Sequence, residues 1–166
     1  KTIDGLISNG TVEHIAVRVG KRDDVICDVF RGDVCETTLF DMASVTKIMT
    51  ILLVTEALDS GKIALTDVVT ASTNAASKGG SQIWLKEGEQ MTVEELLRAS
   101  VIASANDACT ALGEHIAGSE EGAVKMMNDR AKELGMSNTE FKNCTGLDAE
   151  GHLTSAHDVA IMSCEL

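Results

Sequence analysis

Thr38-Leu39-Phe40-Asp41-Met42-Ala43-Ser44-Val45-Thr46-Lys47-Ile48-Met49-Thr50 runs from a polar loop into an apolar helix and sets a hydroxyl and an amine at positions i and i+3 of the first turn. Residues so spaced share one helix face, so Ser44 and Lys47 can hydrogen-bond. A helix N-terminus favours the negative charge that develops on an attacking oxygen. A lysine kept partly dry there can lose its proton and serve as base for the Ser44 hydroxyl. Such a pair is an activated nucleophile that needs no histidine. An S-x-x-K pattern alone arises by chance about once in a chain of this length, so its surroundings decide its meaning.

Downstream, Ile48, Ile51, Leu52, Val54, Ala57 and Leu58 keep a helical rhythm, with Gly61 as C-cap. Upstream, His14-Ile15-Ala16-Val17-Arg18-Val19 and Val25-Ile26-Cys27-Asp28-Val29-Phe30 read as β segments joined by a polar stretch, an antiparallel hairpin. Thr2 to Ser8 reads as a short helix start, with Ile3, Leu6 and Ile7 on one face. Beyond Ala64 the pattern is helical. Thr92-Val93-Glu94-Glu95 is a capping box opening one helix. Asn106 to Ala117 and Ser119 to Leu134 are two more, each closed by glycine, and a last helix begins near Thr154. Ala71 to Ser81 reads as a loop. The fold class expected is α+β: an N-terminal β-hairpin plus a predominantly helical lobe. A hairpin cannot stand alone, so it needs more strands, a helix across its face or another chain, and strand exchange in a homo-oligomer is one solution.

The 166 residues suffice for a real core, and the apolar content of 44% and charged content of 24% are ordinary for a globular protein. A net charge of −12 argues against nucleic acid as a partner and against a basic membrane-binding face. No apolar run reaches the length of a membrane span, and no signal peptide is expected in the stretch that starts at Lys1. The five cysteines (Cys27, Cys35, Cys109, Cys144, Cys164) form no C-x-x-C pair and read as mostly free, buried thiols. His14, His115, His152 and His157 have no spaced carboxylate or thiol partner, so neither a metal nor a cofactor is expected. Proline and tyrosine are absent, where average usage gives roughly eight prolines. Drift and an engineered or reconstructed origin both account for that. Trp84 reads as a core or cleft-edge residue, and the Met126-Met127 pair as half core at most.

A second pattern, Ser104-Ala105-Asn106, falls between two expected helices. Ser104 there can relay a proton and Asn106 can hold a substrate amide; in isolation either would simply cap the next helix. S-x-x-K followed some sixty residues later by S-x-N is the order of penicillin-recognising serine enzymes. Gly79-Gly80-Ser81-Gln82-Ile83-Trp84-Leu85-Lys86-Glu87-Gly88-Glu89-Gln90-Met91-Thr92, Ala103-Ser104-Ala105-Asn106-Asp107-Ala108, Lys132-Glu133-Leu134-Gly135-Met136 and Asn143-Cys144-Thr145-Gly146-Leu147-Asp148 resemble D-alanyl-D-alanine carboxypeptidases, the low-molecular-weight penicillin-binding proteins. The resemblance covers about Ser44 to Leu166, while the first forty residues look more like class C β-lactamase and esterase relatives. It implies a β-lactamase/DD-peptidase-like fold with an incomplete central sheet, residues 1–35 forming the N-terminal helix and hairpin and 36–166 the helical lobe of one partial domain.

The resemblance also implies roles. Ser44 would attack the bond between two D-alanines, Lys47 would take its proton, Ser104 would pass a proton to the leaving amine, and Asn106 would orient the substrate amide and Lys47. The partners implied are a peptidoglycan D-Ala-D-Ala peptide or a β-lactam, and the site implied is extracytoplasmic. The family's third motif, K-T-G or H-T-G, is absent; Cys144-Thr145-Gly146 instead matches a family loop, with Cys in place of Pro. Impaired peptidase activity follows as an expectation. A β-lactamase or esterase of the same superfamily and a non-catalytic scaffold are the competing readings.

Overall fold

A computed structural model describes residues 15–21, 24–31, 34–35 and 37–166, and over 15–31 it describes the backbone path alone. The helix start expected over Thr2 to Ser8 lies outside these residues. The expected hairpin forms from β1 (Ile15–Lys21) and β2 (Asp24–Arg31), paired antiparallel from Ile15 opposite Arg31 to Lys21 opposite Asp24, with a register shift between Val19 and Gly20.

After β3 (Leu39–Asp41) the chain does not enter an α-helix at Ser44. Ala43–Thr46 form a 3-10 turn, and the α-helix α1 (Lys47–Asp59) starts at the lysine. Three residues per turn eclipse positions i and i+3, so the tighter turn stacks Ser44 and Lys47 more directly than an α-turn would. Met49, Leu52, Leu53, Val54 and Ala57 of α1 are all buried, and a helix apolar nearly all round belongs at the centre of a core. It closes at Gly61, φ +70°, where the Lys62 N–H donates to the Ala57 carbonyl at 2.9 Å.

Strands β4 (Val68–Thr70) and β5 (Gln90–Thr92) pair antiparallel. Between them the expected loop contains a one-turn helix, α2 (Thr73–Ala76), capped by the Ser72 hydroxyl. The capping box of Thr92 and Glu95 opens α3 (Val93–Ile102) as the sequence predicts. The next helix, α4 (Asn106–Ala117), has nine of its twelve residues buried, which makes it the second axis of the core. Its small side chains permit close approach: a methyl group added at Gly113 would stand 2.8 Å from Cys144 Sγ and 3.2 Å from Ala123 Cβ. Helix α5 (Glu120–Glu133) starts at the Ser119 cap with Glu120 and Glu121 in its first turn and Arg130 and Lys132 in its last, which matches the helix dipole at both ends. The Arg130 guanidinium reaches Glu56 of α1 and Glu165 near the C-terminus.

The last strand, β6 (Leu153–Ser155), pairs with β3 and leads into α6 (Ala156–Glu165), which packs against α1 and against β1 of the hairpin. The hairpin thus has the covering helix it needs. Phe141, Met49, Leu96, Leu112, Met127 and Met162 fill the centre. Of the cysteines, Cys109 and Cys144 are buried but Cys35 and Cys164 are exposed, which corrects the expectation of mostly buried thiols; all four are free and Cys27 lies where no side chain is described. Trp84 is 75% exposed, so it is no core residue. Among the described residues, no helix is long and apolar enough to cross a membrane.

Candidate active site

The 3-10 turn presents Ser44 to solvent and keeps Lys47 inside: Ser44 is exposed, whereas Lys47 is 3% exposed. Lys47 Nζ lies 3.3 Å from Ser44 Oγ. Ser104 Oγ, from the turn between α3 and α4, donates to the same oxygen at 3.2 Å. A residue three positions away and another sixty positions away therefore converge on one hydroxyl. Burial lowers the Lys47 pKa below its usual value, because a low-dielectric surrounding disfavours the ammonium form. The titratable group facing it is the Cys109 thiol of α4, itself pushed up to about 12 by burial. A protonated thiol supplies no counter-charge near neutral pH, so desolvation governs the lysine.

The second acceptor for Lys47 is a backbone oxygen, the Thr145 carbonyl at 2.8 Å. The preceding carbonyl, of Cys144, accepts from Thr50 Oγ1 at 2.9 Å and from Cys109 Sγ at 3.2 Å. Lys47 and Thr50 are i and i+3 on α1, so one edge of that helix reads two successive carbonyls. Gly146 follows with φ +87°, and a methyl group there would fall 1.6 Å from the Ala43 carbonyl oxygen. Glycine alone lets this loop touch the Ser44 turn.

Asn106 is 5% exposed, and its side-chain Nδ2 donates to the Gly79 carbonyl at 2.7 Å while its backbone N–H donates to Ser81 O at 2.7 Å. Among the described residues, Ser44, Lys47 and Ser104 are directly hydrogen-bonded to one another in a chain, whereas Asn106 is bonded to the segment over residues 79–81. Next to it the fully buried Asp107 carboxylate accepts from the N–H groups of Ile83, Leu85 and Ala108. Trp84 sits between the first two at φ +59°. The described non-glycine residues with positive φ are Ala43, Trp84 and Ser104. Such strain persists only where neighbours over-determine it: Ala43 and Ser104 stand in the two turns that meet at Ser44 Oγ, and Trp84 lies between the two N–H groups held by Asp107.

Below the turn, Thr46 Oγ1 bonds His152 Nε2 at 2.7 Å, and the Lys142 N–H donates to His152 Nδ1 at 2.8 Å. The second bond leaves the imidazole neutral with its proton on Nε2, donated to Thr46. Burial lowers the His152 pKa in the same sense. Sequence reasoning left His152 without a partner, and it quoted Asn143, Thr145, Gly146 and Asp107 within matching runs without giving them a role at the site. Asn-x-Thr-Gly has the composition of an Asx turn, which was the available signal. Among the described residues no group of His, Cys, Asp and Glu side chains could hold a metal ion.

A family model described as D-alanyl-D-alanine carboxypeptidase matches residues 34–166, so the match begins ahead of Ser44 and includes the run from Thr38. The chain is 61% identical over 124 residues to the D-alanyl-D-alanine carboxypeptidase DacF of Bacillus subtilis, a match covering 75% of this chain and 32% of that relative. Among solved structures it is similar to the D-alanyl-D-alanine carboxypeptidase DacD of Francisella tularensis, with TM-score 0.83 and 33% identity over 92% of this chain and 36% of that one. It is also similar to penicillin binding protein 6B of Escherichia coli, with TM-score 0.78 and 34% identity over 90% of this chain and 47% of that one. The expected β-lactamase/DD-peptidase-like α+β fold is the fold these structures have. The chain spans about a third of the length of the curated relatives it matches.

Proposed function

Because the chain belongs to the D-alanyl-D-alanine carboxypeptidase family, we propose that it carries the acylating centre of a serine DD-peptidase acting on peptidoglycan stem peptides, with Ser44 as nucleophile and Lys47 as its base. The observation that carries this reading is the bonded chain of Lys47, Ser44 and Ser104, with the lysine buried and its pKa lowered.

A neutral Lys47 amine has one lone pair and two N–H bonds. With one N–H on the Thr145 carbonyl, the lone pair faces Ser44 Oγ and can accept its proton. The oxygen bonds to the carbonyl carbon between two D-alanines, and the Ser44 backbone N–H stabilises the oxyanion. Collapse breaks the C–N bond. The leaving amine takes the proton back from Lys47 through Ser104 Oγ, and water then hydrolyses the Ser44 ester. A β-lactam would follow the same first step and remain attached. Asn106, beside this chain, orients the substrate amide. Residues 1–35 and 36–166 act as one unit in this reading, and the chemistry takes place outside the cytoplasm, where stem peptides are.

Labelling with a fluorescent penicillin tests the proposal. A covalent adduct is expected on the parent chain and none on Ser44→Ala. A folded parent chain that stays unlabelled at high penicillin concentration would overturn it.

A further inference from the structure

Residues 143–147 contribute no side chain to the bonded triad, yet their backbone supplies the acceptor for Lys47. We propose that Asn143 is a positioning residue: by gathering the N–H groups of Thr145 and Gly146 and the Thr145 hydroxyl onto its side-chain oxygen, it fixes the Thr145 carbonyl on Lys47 and so aims the amine's lone pair at Ser44.

Asn143 Oδ1 accepts from Gly146 N at 2.7 Å, Thr145 N at 3.0 Å and Thr145 Oγ1 at 3.2 Å. Its Nδ2 donates to the Leu147 carbonyl at 2.7 Å, closing the loop from the other side. The Gly146 N–H belongs to the same planar peptide unit as the Thr145 carbonyl that meets Lys47, and the Thr145 N–H belongs to the unit before it. Holding these two successive units on one oxygen opposes rotation of that carbonyl away from Lys47. A neutral amide does this without placing charge near the lysine, whereas a carboxylate would stabilise the ammonium form that cannot act as base.

The rest of the loop is anchored independently. Glu120, held below its ordinary pKa by hydrogen bonds from Lys78 and Asn74 despite its burial, accepts from Cys144 N at 3.4 Å. Thr50 and Cys109 hold the Cys144 carbonyl. Loss of Asn143 therefore frees the Thr145 peptide without detaching the segment. Water then reaches a lysine that is 3% exposed, and its titration rises toward the ordinary lysine range. This inference rests on the reading of Ser44 and Lys47 given above.

The test compares Asn143→Ala and Asn143→Ser with the parent, since a serine hydroxyl can imitate the turn more weakly. Acylation by a fluorescent penicillin should slow roughly ten- to a hundredfold in the alanine variant, with the serine variant between. Lys47 titration, followed by NMR of 13C-labelled lysine and assigned with Lys47→Arg, should move upward in the same order. That second readout needs no catalysis, so it stands even if the parent fails to acylate, an outcome that would sink the proposed function alone. Two results overturn the positioning role: variants that match the parent in rate and titration, or a slower alanine variant whose Lys47 titrates as in the parent. If Asn143→Ala does not fold, the serine variant decides.

Discussion

Replacing Gly146 with alanine should damage both stability and chemistry, and the two parts can be separated. The added methyl group falls 1.6 Å from the Ala43 oxygen, about 2 Å short of ordinary contact. The obstacle is backbone, so no side chain can swing aside. An L-residue at φ +87° also carries left-handed strain, roughly 1–2 kcal/mol. Overpacking against an immobile group adds roughly 1–3 kcal/mol. The combined loss of roughly 2–5 kcal/mol corresponds to a melting temperature lower by about 5–20 °C for a chain of this size. Gly135→Ala is the control, because φ there is +78° but no atom lies within 4 Å of the new methyl. It should lose only the strain, about 2–8 °C. Thermal melting by circular dichroism measures both. Penicillin labelling below the melting range then reads the second effect: Gly146→Ala moves the turn that presents Ser44 and should acylate roughly a hundredfold more slowly, whereas Gly135→Ala should label at the parent rate. Equal melting losses and equal labelling in the two variants would refute the packing argument.

Further outcomes are expected. The acylation rate of the parent should rise with pH and level off below the ordinary lysine value of 10.5, because burial lowers the Lys47 pKa; Lys47→Arg, which stays charged, should slow acylation roughly 10²- to 10⁴-fold. Folded His152 has its pKa lowered, by burial first, from the ordinary 6.5. The unfolded chain therefore takes the proton first as pH falls, and stability declines from about 6.5 downward until the folded value is passed. Urea midpoints at about pH 7.5 and about pH 5 measure this, and His152→Gln should flatten the difference; an undiminished slope would point to another group. Asp107→Ala strands the buried N–H groups of Leu85 and Ala108 and the half-buried one of Ile83 and should cost roughly 3 kcal/mol or more. Trp84 is the single tryptophan, so its fluorescence anisotropy should fall in that variant, and an unchanged value would mean that the strained segment is held by something else.

The helices were legible because their punctuation is local. Thr92 with Glu95, and the glycines after α4 and α5, announce ends without reference to the rest of the fold. The hairpin was legible for the same reason, from two apolar runs around a polar turn. Strands β3 to β6 were not, since three residues are too short for an alternation to register, and each exists only because a distant partner meets it. The site divides along the same line. Ser44, Lys47, Ser104 and Asn106 stand out as spaced residue types, but the acceptor on Lys47 is a main-chain oxygen, which no residue identity marks. The start of α1 differs for a related reason: Ala43, with φ +42°, lies against the distant Gly146, a tertiary contact that local spacing does not mark.

The contacts that assemble this centre join residues far apart in sequence. Ser44 meets Ser104 across 60 positions, Lys47 meets Thr145 across 98, and Thr46 meets His152 across 106. Each closes a large loop whose entropy is lost before its bond rewards it. The helices, with local contacts, can form early; the bonded chain around Ser44 has to wait until both the α3–α4 turn and the 143–147 loop have docked. With Ser44 acylating as proposed, labelling by a penicillin would therefore serve as a clock for the end of folding. In a refolding experiment, circular dichroism should recover before labelling does, and the interval between them times the closure of the site.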